Sequence, residues 1–196
     1  MIKSETNIYG LPLYILYPGD YYASEESCII ETITGACVVV CLFDYIHSIG
    51  GMGHFIVPGT IGTEGIIADE IAKQGILSME FLMAEIVKLG GDRRYVRAKL
   101  FGAGYITSSI PEMGGIVDSN IRFMHEYFSM ERIEVETEDL GGNYRRKIMY
   151  LPLKGQAYRK LLTNNNEASE FMKLEKEYID NKFNNKERYG KLILFE

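Results

Sequence analysis

The chain has 196 residues, of which 46% are hydrophobic and 24% charged, and its formal net charge is -6. This length and apolar content suit one compact domain whose core needs neither disulfides nor a metal. An acidic chain without a basic stripe gains little from releasing the counterions of phosphates, so we do not expect nucleic acid as a partner.

The cysteines and the N-terminal residues bear on the compartment. Met1 to Glu5 show no cationic region leading into an apolar one, so we expect no signal peptide. No apolar run reaches the roughly 18 residues of a membrane span. The three cysteines are an odd number, which favours free thiols over a disulfide framework in a chain without an export signal. We therefore expect a cytoplasmic protein.

The first part of the chain predicts short strands. Residues 10–20 carry turn signals and predict a loop. Residues 28–33 and 36–43 are apolar and β-branched, which indicates strands, and the second run is apolar enough to be buried. A further strand is predicted over 52–57, before Pro58.

The remainder predicts helices and strands in no regular alternation. Apolar residues recur at helical spacing over 78–89 and 117–130, with Asp118 or Ser119 as caps of the second helix. Strands are predicted at 95–101, 132–138, 146–151 and 156–162. The pattern favours an α+β class.

Two units follow from this pattern, a domain over 1–162 and a charged helical extension over 163–196 with a possible short strand at 192–195. The extension is predicted to be an amphipathic helix. Its apolar stripe would pack on the domain or bind a partner helix.

Cys37 and His54 lie in two neighbouring apolar runs and suggest a nucleophile and its base. If the runs form an antiparallel hairpin with Cys37 opposite His54, a thiol and an imidazole share one face of a sheet. The imidazole could take the thiol proton, the thiolate could attack an acyl carbon, and backbone N–H groups near Gly35 to Cys37 could hold the oxyanion.

Simpler interpretations remain open. Buried cysteines usually just pack, as we expect of Cys28 and Cys41, and an apolar strand often holds a core histidine. His47 is expected at the surface. A zinc site built from Cys37, Cys41, His47 and His54 would match no short zinc signature.

Several segments, in the same order, resemble the chemoreceptor glutamine deamidases of the CheD family. They are Tyr17-Pro18-Gly19-Asp20, Glu31-Thr32-Ile33-Thr34-Gly35-Ala36-Cys37-Val38, Asp44, Gly50-Gly51-Met52-Gly53-His54 with Pro58, Ala98-Lys99-Leu100-Phe101-Gly102-Ala103-Gly104, Asn120 at the opening of a helix, and Glu138-Asp139-Leu140-Gly141-Gly142 with Arg146. The resemblance covers about residues 13–162 and leaves the extension out.

The resemblance implies a cysteine hydrolase that converts glutamines of methyl-accepting chemoreceptors to glutamates without a cofactor or metal. It also implies the fold, a layered α/β sandwich, which we expect to consist of mixed, mostly antiparallel sheets flanked by helices. Carried over, Cys37 is the nucleophile, His54 the base, and a threonine is the third polar member. The resemblance also implies a second partner in some bacteria, the CheC-type phosphatase.

Four departures from the family pattern bear on activity. Without gaps, Glu31 falls where the family has its threonine, and Thr32 could serve if a bulge shifts the strand face. Ala36 replaces a serine, Gly53 replaces a common asparagine, and Arg145 replaces a glycine. These departures motivate an alternative function, a regulatory binding partner of the phosphatase with little or no catalysis. Other acyl chemistry, such as proteolysis or transglutamination, would share the same thioester step.

Overall fold

The computed structural model describes residues 2–4, 10–57, 61–62, 65–106, 112–162 and 168–184. These ranges contain ten strands in two five-stranded sheets, and three α-helices. The strands are β1 (Ile2–Ser4), β2 (Leu13–Ile15), β3 (Tyr21–Ser24), β4 (Ile29–Thr34), β5 (Val38–Asp44), β6 (Ile49–Phe55), β7 (Val96–Gly102), β8 (Glu134–Leu140), β9 (Arg145–Leu151) and β10 (Gln156–Leu162). The helices are α1 (Glu70–Lys88), α2 (Glu112–Glu131) and α3 (Ser169–Asn184).

The two sheets and the helices form layers. The first sheet has the order β1-β2-β4-β9-β10 and the second β3-β6-β5-β7-β8. Two strand pairs, β2 with β4 and β7 with β8, are parallel, and the other pairs are antiparallel. This arrangement confirms the predicted α+β sandwich of mixed, mostly antiparallel sheets.

Alternation along β5 shows how the layers pack. Val39 and Cys41 face the first sheet and pack with residues such as Ile30 and Tyr150. Val38 and Val40 face the opposite way, into a core that includes residues of α1 and α2. Because successive side chains point to opposite faces, an almost continuous apolar run is what a strand buried on both faces requires.

The β5–β6 hairpin differs in register from the expectation. His54 lies opposite Val39, not Cys37, and the turn comprises residues 45–48. Ser48 adopts a positive φ of 58° there. The shift by two residues preserves the facing of every side chain, since side chains alternate with a period of two. Cys37 itself precedes β5, so its strand begins later than the predicted 36–43.

Both long helices begin earlier than predicted. Asp69 caps α1 by accepting hydrogen bonds from the N–H groups of Ile71 and Ala72 at 2.8 and 3.2 Å. Gly75 lies inside α1. A Cβ at this position would come within 2.7 Å of the Phe123 ring, so the close packing of α1 against α2 requires glycine here. The predicted caps Asp118 and Ser119 are wrong, as both lie within α2, which starts at Glu112.

The remaining boundaries agree within a few residues. The stretch 10–20 includes the short strand β2, and β10 occupies the predicted range. The predicted strand at 192–195 and Pro58 lie outside the described residues. Among the helices that the structure describes, none is long and apolar enough to cross a membrane.

Candidate active site

Cys37 lies in the loop between β4 and β5 and is fully buried. Its carbonyl oxygen accepts hydrogen bonds from the Thr34 hydroxyl at 2.7 Å and from the Ala103 N–H at 2.8 Å. The Gly104 N–H donates to the Gly35 carbonyl at 2.7 Å. These contacts fix the backbone on both sides of the cysteine, so its thiol occupies a defined position.

The loop that holds Cys37 depends on a glycine. Gly102 has a φ of +103°, and a Cβ there would lie 2.3 Å from the Cys37 carbonyl oxygen. Only glycine allows both this backbone conformation and this close approach. The segment 98–104 therefore shapes the loop of residues 35–37, which we call the nucleophile loop after the role predicted for Cys37.

A second turn, at Gly141 and Gly142, supports the segment 98–104. The Gly141 N–H donates to the Gly102 carbonyl at 3.0 Å, and Gly142 accepts from the Tyr105 N–H at 2.8 Å. The fully buried Arg146 pairs with Asp139, with Nη2–Oδ1 at 2.8 Å, and also donates to the Gly141 carbonyl at 2.7 Å. The glycine turn therefore has a structural role, since it holds the segment on which the nucleophile loop rests.

His54 lies on β6, fully buried, and faces the first sheet across the sandwich. Its Nδ1 is 2.9 Å from the hydroxyl oxygen of Thr32 on β4. The Thr32 hydroxyl is also 2.8 Å from the carbonyl oxygen of Leu16. A carbonyl can only accept, so the single hydroxyl proton goes to Leu16 and Thr32 accepts the Nδ1–H of His54. The other ring nitrogen, Nε2, is then unprotonated and able to act as a base.

Cys37 and His54 come together at this point. The Cys37 sulfur, one ring nitrogen of His54 and a carboxylate oxygen of Glu175 lie within 4.8 Å of one another. Nε2 of His54 has no hydrogen-bond partner among the described residues. Since Nδ1 is bound to Thr32, Nε2 is the nitrogen available to the thiol.

Thr32, and not Glu31, lies beside His54. The Glu31 carboxylate is on the other face of β4, 2.7 Å from the Lys147 ammonium. From Ile30 to Thr34, β4 pairs with β9 in a continuous register. The bulge that the sequence suggested is therefore not needed, because regular alternation already turns Thr32 toward His54.

Burial sets the protonation state of the pair. It lowers the pKa of His54 to about 3, although the nearby Asp20 opposes this shift. Burial, and next the charge and hydrogen bond of Glu175, raise the pKa of the Cys37 thiol. In this closed arrangement the pair is a neutral thiol and a neutral imidazole, and not a thiolate–imidazolium pair.

Two backbone N–H groups converge beside the thiol. Those of Gly35 and Cys37 both donate to Oε1 of Glu175, at 3.0 Å each. Two donors aimed at one oxygen next to the Cys37 thiol have the geometry that an oxyanion hole requires. The sequence analysis predicted that backbone N–H groups of this loop would bind the oxyanion.

Sequence reasoning missed Glu175, which comes from α3 in the extension. The signal was available: Glu175 lies four residues after Phe171 and four before Ile179, on the apolar stripe of the helix. A charged residue in the middle of a buried stripe points to a specific partner.

The structure does not assemble the zinc site considered above. Cys41 is buried in the core between the sheets, and His47 lies 2.7 Å from Asp44 at the other end of β5. Cys28 and Cys41 are free, buried thiols, as expected. Asn120 lies inside α2 and does not open it; its side chain holds the backbone of Val57, accepting from the N–H at 2.8 Å.

A protein-family model covers the later part of the chain. The model described as CheD chemotactic sensory transduction matches residues 58–161, more than half of the chain. The matched range begins after Cys37 and His54.

Curated relatives match a larger part of the chain. A "Probable chemoreceptor glutamine deamidase CheD" of Paraburkholderia xenovorans is 35% identical over 162 residues, covering 83% of this chain and 64% of the relative. Another from Burkholderia vietnamiensis is 36% identical over 147 residues, which are 75% of this chain and 59% of the relative. "Probable chemoreceptor glutamine deamidase CheD 1" of Shewanella oneidensis is 37% identical over 164 residues, covering 83% of this chain and 78% of the relative.

The matched part thus spans about three fifths of the length of the first two relatives. The identity and coverage of the Shewanella relative, together with the family model, are sufficient to assign the family. The chain belongs to the CheD family.

Proposed function

We propose that the protein is a protein-glutamine deamidase that hydrolyses glutamine side chains of methyl-accepting chemoreceptors to glutamate. The observation that carries this proposal is the convergence of the Cys37 thiol, the unprotonated nitrogen of His54 and the N–H groups of Gly35 and Cys37. The names of the relatives, chemoreceptor glutamine deamidases, support the choice of a chemoreceptor glutamine over other amides.

The reaction follows from these positions. His54 Nε2 accepts the thiol proton while the Cys37 sulfur bonds to the carboxamide carbon of the glutamine. The N–H groups of Gly35 and Cys37 stabilise the negative oxygen of the tetrahedral intermediate. His54 returns the proton to the nitrogen, ammonia leaves, and a thioester remains. Water, deprotonated by His54, then cleaves the thioester to release glutamate and the free thiol.

Thr32 is the positioning residue of this reaction. By accepting the Nδ1–H of His54, it fixes the tautomer in which Nε2 is the base. The imidazolium that forms in each step stays hydrogen-bonded to Thr32. No step requires a cofactor or a metal.

The proposal extends to partners and compartment. The substrates would be the helical cytoplasmic domains of the receptors, and the enzyme would act in the cytoplasm. A CheC-type phosphatase is a second proposed partner.

A receptor cytoplasmic fragment incubated with the protein tests the activity. Mass spectrometry of its peptides should show conversion of specific glutamines to glutamates, and the Cys37→Ala variant should convert none. Unchanged glutamines with the wild-type protein, or full conversion by that variant, would refute the proposal.

The alternative of a non-catalytic partner of the phosphatase rested on Glu31, Ala36 and Gly53. Glu31 no longer supports it, because Thr32 lies beside His54. Ala36 precedes Cys37 as a buried residue, and the loss of a serine there leaves both backbone donors in place.

A further inference from the structure

Helix α3 lies across the active site. The ring of Phe171 packs on Tyr17, with ring centroids 5.2 Å apart. A Cβ on Gly19 would lie 2.8 Å from the ring of Tyr178, so this ring covers the glycine. Ile179 enters the main core. These residues lie on either side of Glu175 along one face of the helix.

Glu175 is buried, with 7% of its surface exposed, and its carboxylate is held by the nucleophile loop. Oε1 accepts from two backbone N–H groups, and a carboxylate oxygen lies within 4.8 Å of the Cys37 sulfur. Among the ion pairs of the described residues, none includes Glu175. A carboxylate buried without a cation is costly unless hydrogen bonds compensate it, so this site is built to receive such a group.

The chemistry of the group explains the fit. Glutamate is the product of glutamine hydrolysis, and Glu175 lies with one oxygen in the oxyanion hole and with the sulfur and the imidazole nearby. Gly35 makes the space: a Cβ there would lie 2.6 Å from Oε2 of Glu175. The carboxylate thus occupies the place that the carboxamide of a substrate must take.

We propose that α3 is an intramolecular product analogue, which fills the glutamine subsite with Glu175 and competes with the receptor helix. This inference rests on the proposed deamidase function. A substrate can reach the fully buried Cys37 and His54 only when Glu175 withdraws, so α3 keeps the thiol protonated and covered until a receptor displaces it.

The position of Glu175 has a chemical consequence. In a Glu175→Gln variant, the introduced carboxamide would lie beside Cys37. The sulfur would bond to its carbon, ammonia would leave with the proton relayed by His54, and water would hydrolyse the thioester. The net reaction consumes one water, releases one ammonia and restores glutamate at position 175.

Kinetics with the full-length chain test the competition. Removing the occupant with Glu175→Ala should lower the apparent KM for the receptor fragment by about tenfold or more with a smaller change in kcat, since an occupied site reduces apparent affinity by the free fraction. Glu177→Ala removes the same charge from the exposed side of α3 and should leave KM unchanged.

Thiol reactivity tests the occupancy without any substrate. Iodoacetamide should alkylate Cys37 about tenfold faster in Glu175→Ala than in the wild type or Glu177→Ala, because the substitution uncovers the thiol and removes a negative charge that raises its pKa. The chelator EDTA should not alter these alkylation rates, because the proposal has Glu175, and not a metal ion, covering the thiol. Equal alkylation rates and equal KM values in all three proteins would overturn the proposal, and so would a loss of kcat in Glu175→Ala, because it would assign Glu175 to catalysis.

Deamidation of the glutamine introduced at position 175 provides a third test. Purified Glu175→Gln protein should gain the mass that accompanies replacement of an amide NH2 by OH at position 175, and the Cys37→Ala–Glu175→Gln double variant should not. An unconverted single variant that still deamidates the receptor fragment would overturn the product-analogue assignment. If no glutamine is converted anywhere while Glu175→Ala accelerates alkylation, the occupancy stands and the proposed deamidase function fails.

Discussion

At the scale of single residues, the proposed chemistry depends on the position of one proton on His54. The hydroxyl of Thr32 has one proton, and the carbonyl of Leu16 takes it. His54 must therefore donate from Nδ1, which leaves Nε2 as the base. In the proposed site a small neutral side chain orients the imidazole, as a carboxylate does in the Ser-His-Asp triad.

A Thr32→Val substitution tests this orientation. The side chain keeps its size but loses both hydrogen bonds, so kcat should fall about tenfold to a hundredfold, as the loss of about 1–3 kcal/mol implies. Deamidation of the receptor fragment, followed by mass spectrometry, measures the change.

The conservative variant Thr32→Ser serves as the control, since it retains the hydroxyl. It should keep most of the wild-type kcat. Wild-type activity in Thr32→Val would show that the hydroxyl does not position His54.

The sequence alone indicated Cys37 and His54 as candidate site residues, because both lie in segments whose order and composition match a family pattern. It could not decide between Glu31 and Thr32. That decision depends on which face of β4 meets the second sheet, and adjacent residues on a strand always face opposite ways. The partner Lys147 of Glu31 comes from β9, more than a hundred residues along the chain.

At the scale of elements, the nucleophile loop is held by two turns that are distant in sequence. Gly102 contacts the Cys37 carbonyl, and the turn of Gly141 and Gly142 supports the segment that follows. Glycines at these positions indicate turns. Their shared support of one loop follows from the parallel pairing of β7 and β8, which local patterns do not specify.

A Gly102→Ala substitution tests the support. The new Cβ would collide with the Cys37 carbonyl, so the loop must shift and the two N–H donors with it. We expect kcat to fall at least about tenfold, since misplacement of reacting groups by about 1 Å can cost a hundredfold. The same deamidation assay measures it.

Gly90→Ala is the matched control for backbone strain. Gly90 has a similar φ of +98°, but a Cβ there would meet no atom within 4 Å. Its substitution should cost about 1–2 kcal/mol of unfolding free energy and leave kcat unchanged. Equal kcat losses in the two variants would argue against a specific role of Gly102.

At the scale of the whole molecule, the site exists because two sheets stack. Thr32 belongs to the first sheet and His54 to the second, so their hydrogen bond crosses the core. The α+β class was predictable from the mixture of strands and helices, and the layered sandwich from the resemblance to the family. The packing of α3 against the site could not be predicted, because an amphipathic stripe does not reveal the surface that it covers.

The burial of His54 predicts a dependence of stability on pH. Burial lowers the pKa of His54 from 6.5 to about 3, so below pH 6.5 the unfolded state binds a proton that the native state does not. The stabilisation is complete above pH 6.5 and is lost as the pH falls toward 3. The free energy of unfolding should decrease by about 1.4 kcal/mol per pH unit from this group alone.

Urea unfolding of the wild type and of His54→Asn between about pH 6 and 4.5 isolates this contribution. The wild type should lose stability more steeply than the variant, and the difference in slope should equal that of one proton. Identical slopes would mean that His54 is not buried as a neutral base.

The central claim is that Cys37 forms a thioester with the substrate glutamine, and interception of that thioester tests it most directly. With hydroxylamine present during deamidation of the receptor fragment, the account predicts glutamyl hydroxamate at the same positions that otherwise become glutamate, and neither product with Cys37→Ala. Glutamate that forms at an unchanged rate without any hydroxamate, or that forms in the absence of the thiol, would contradict it.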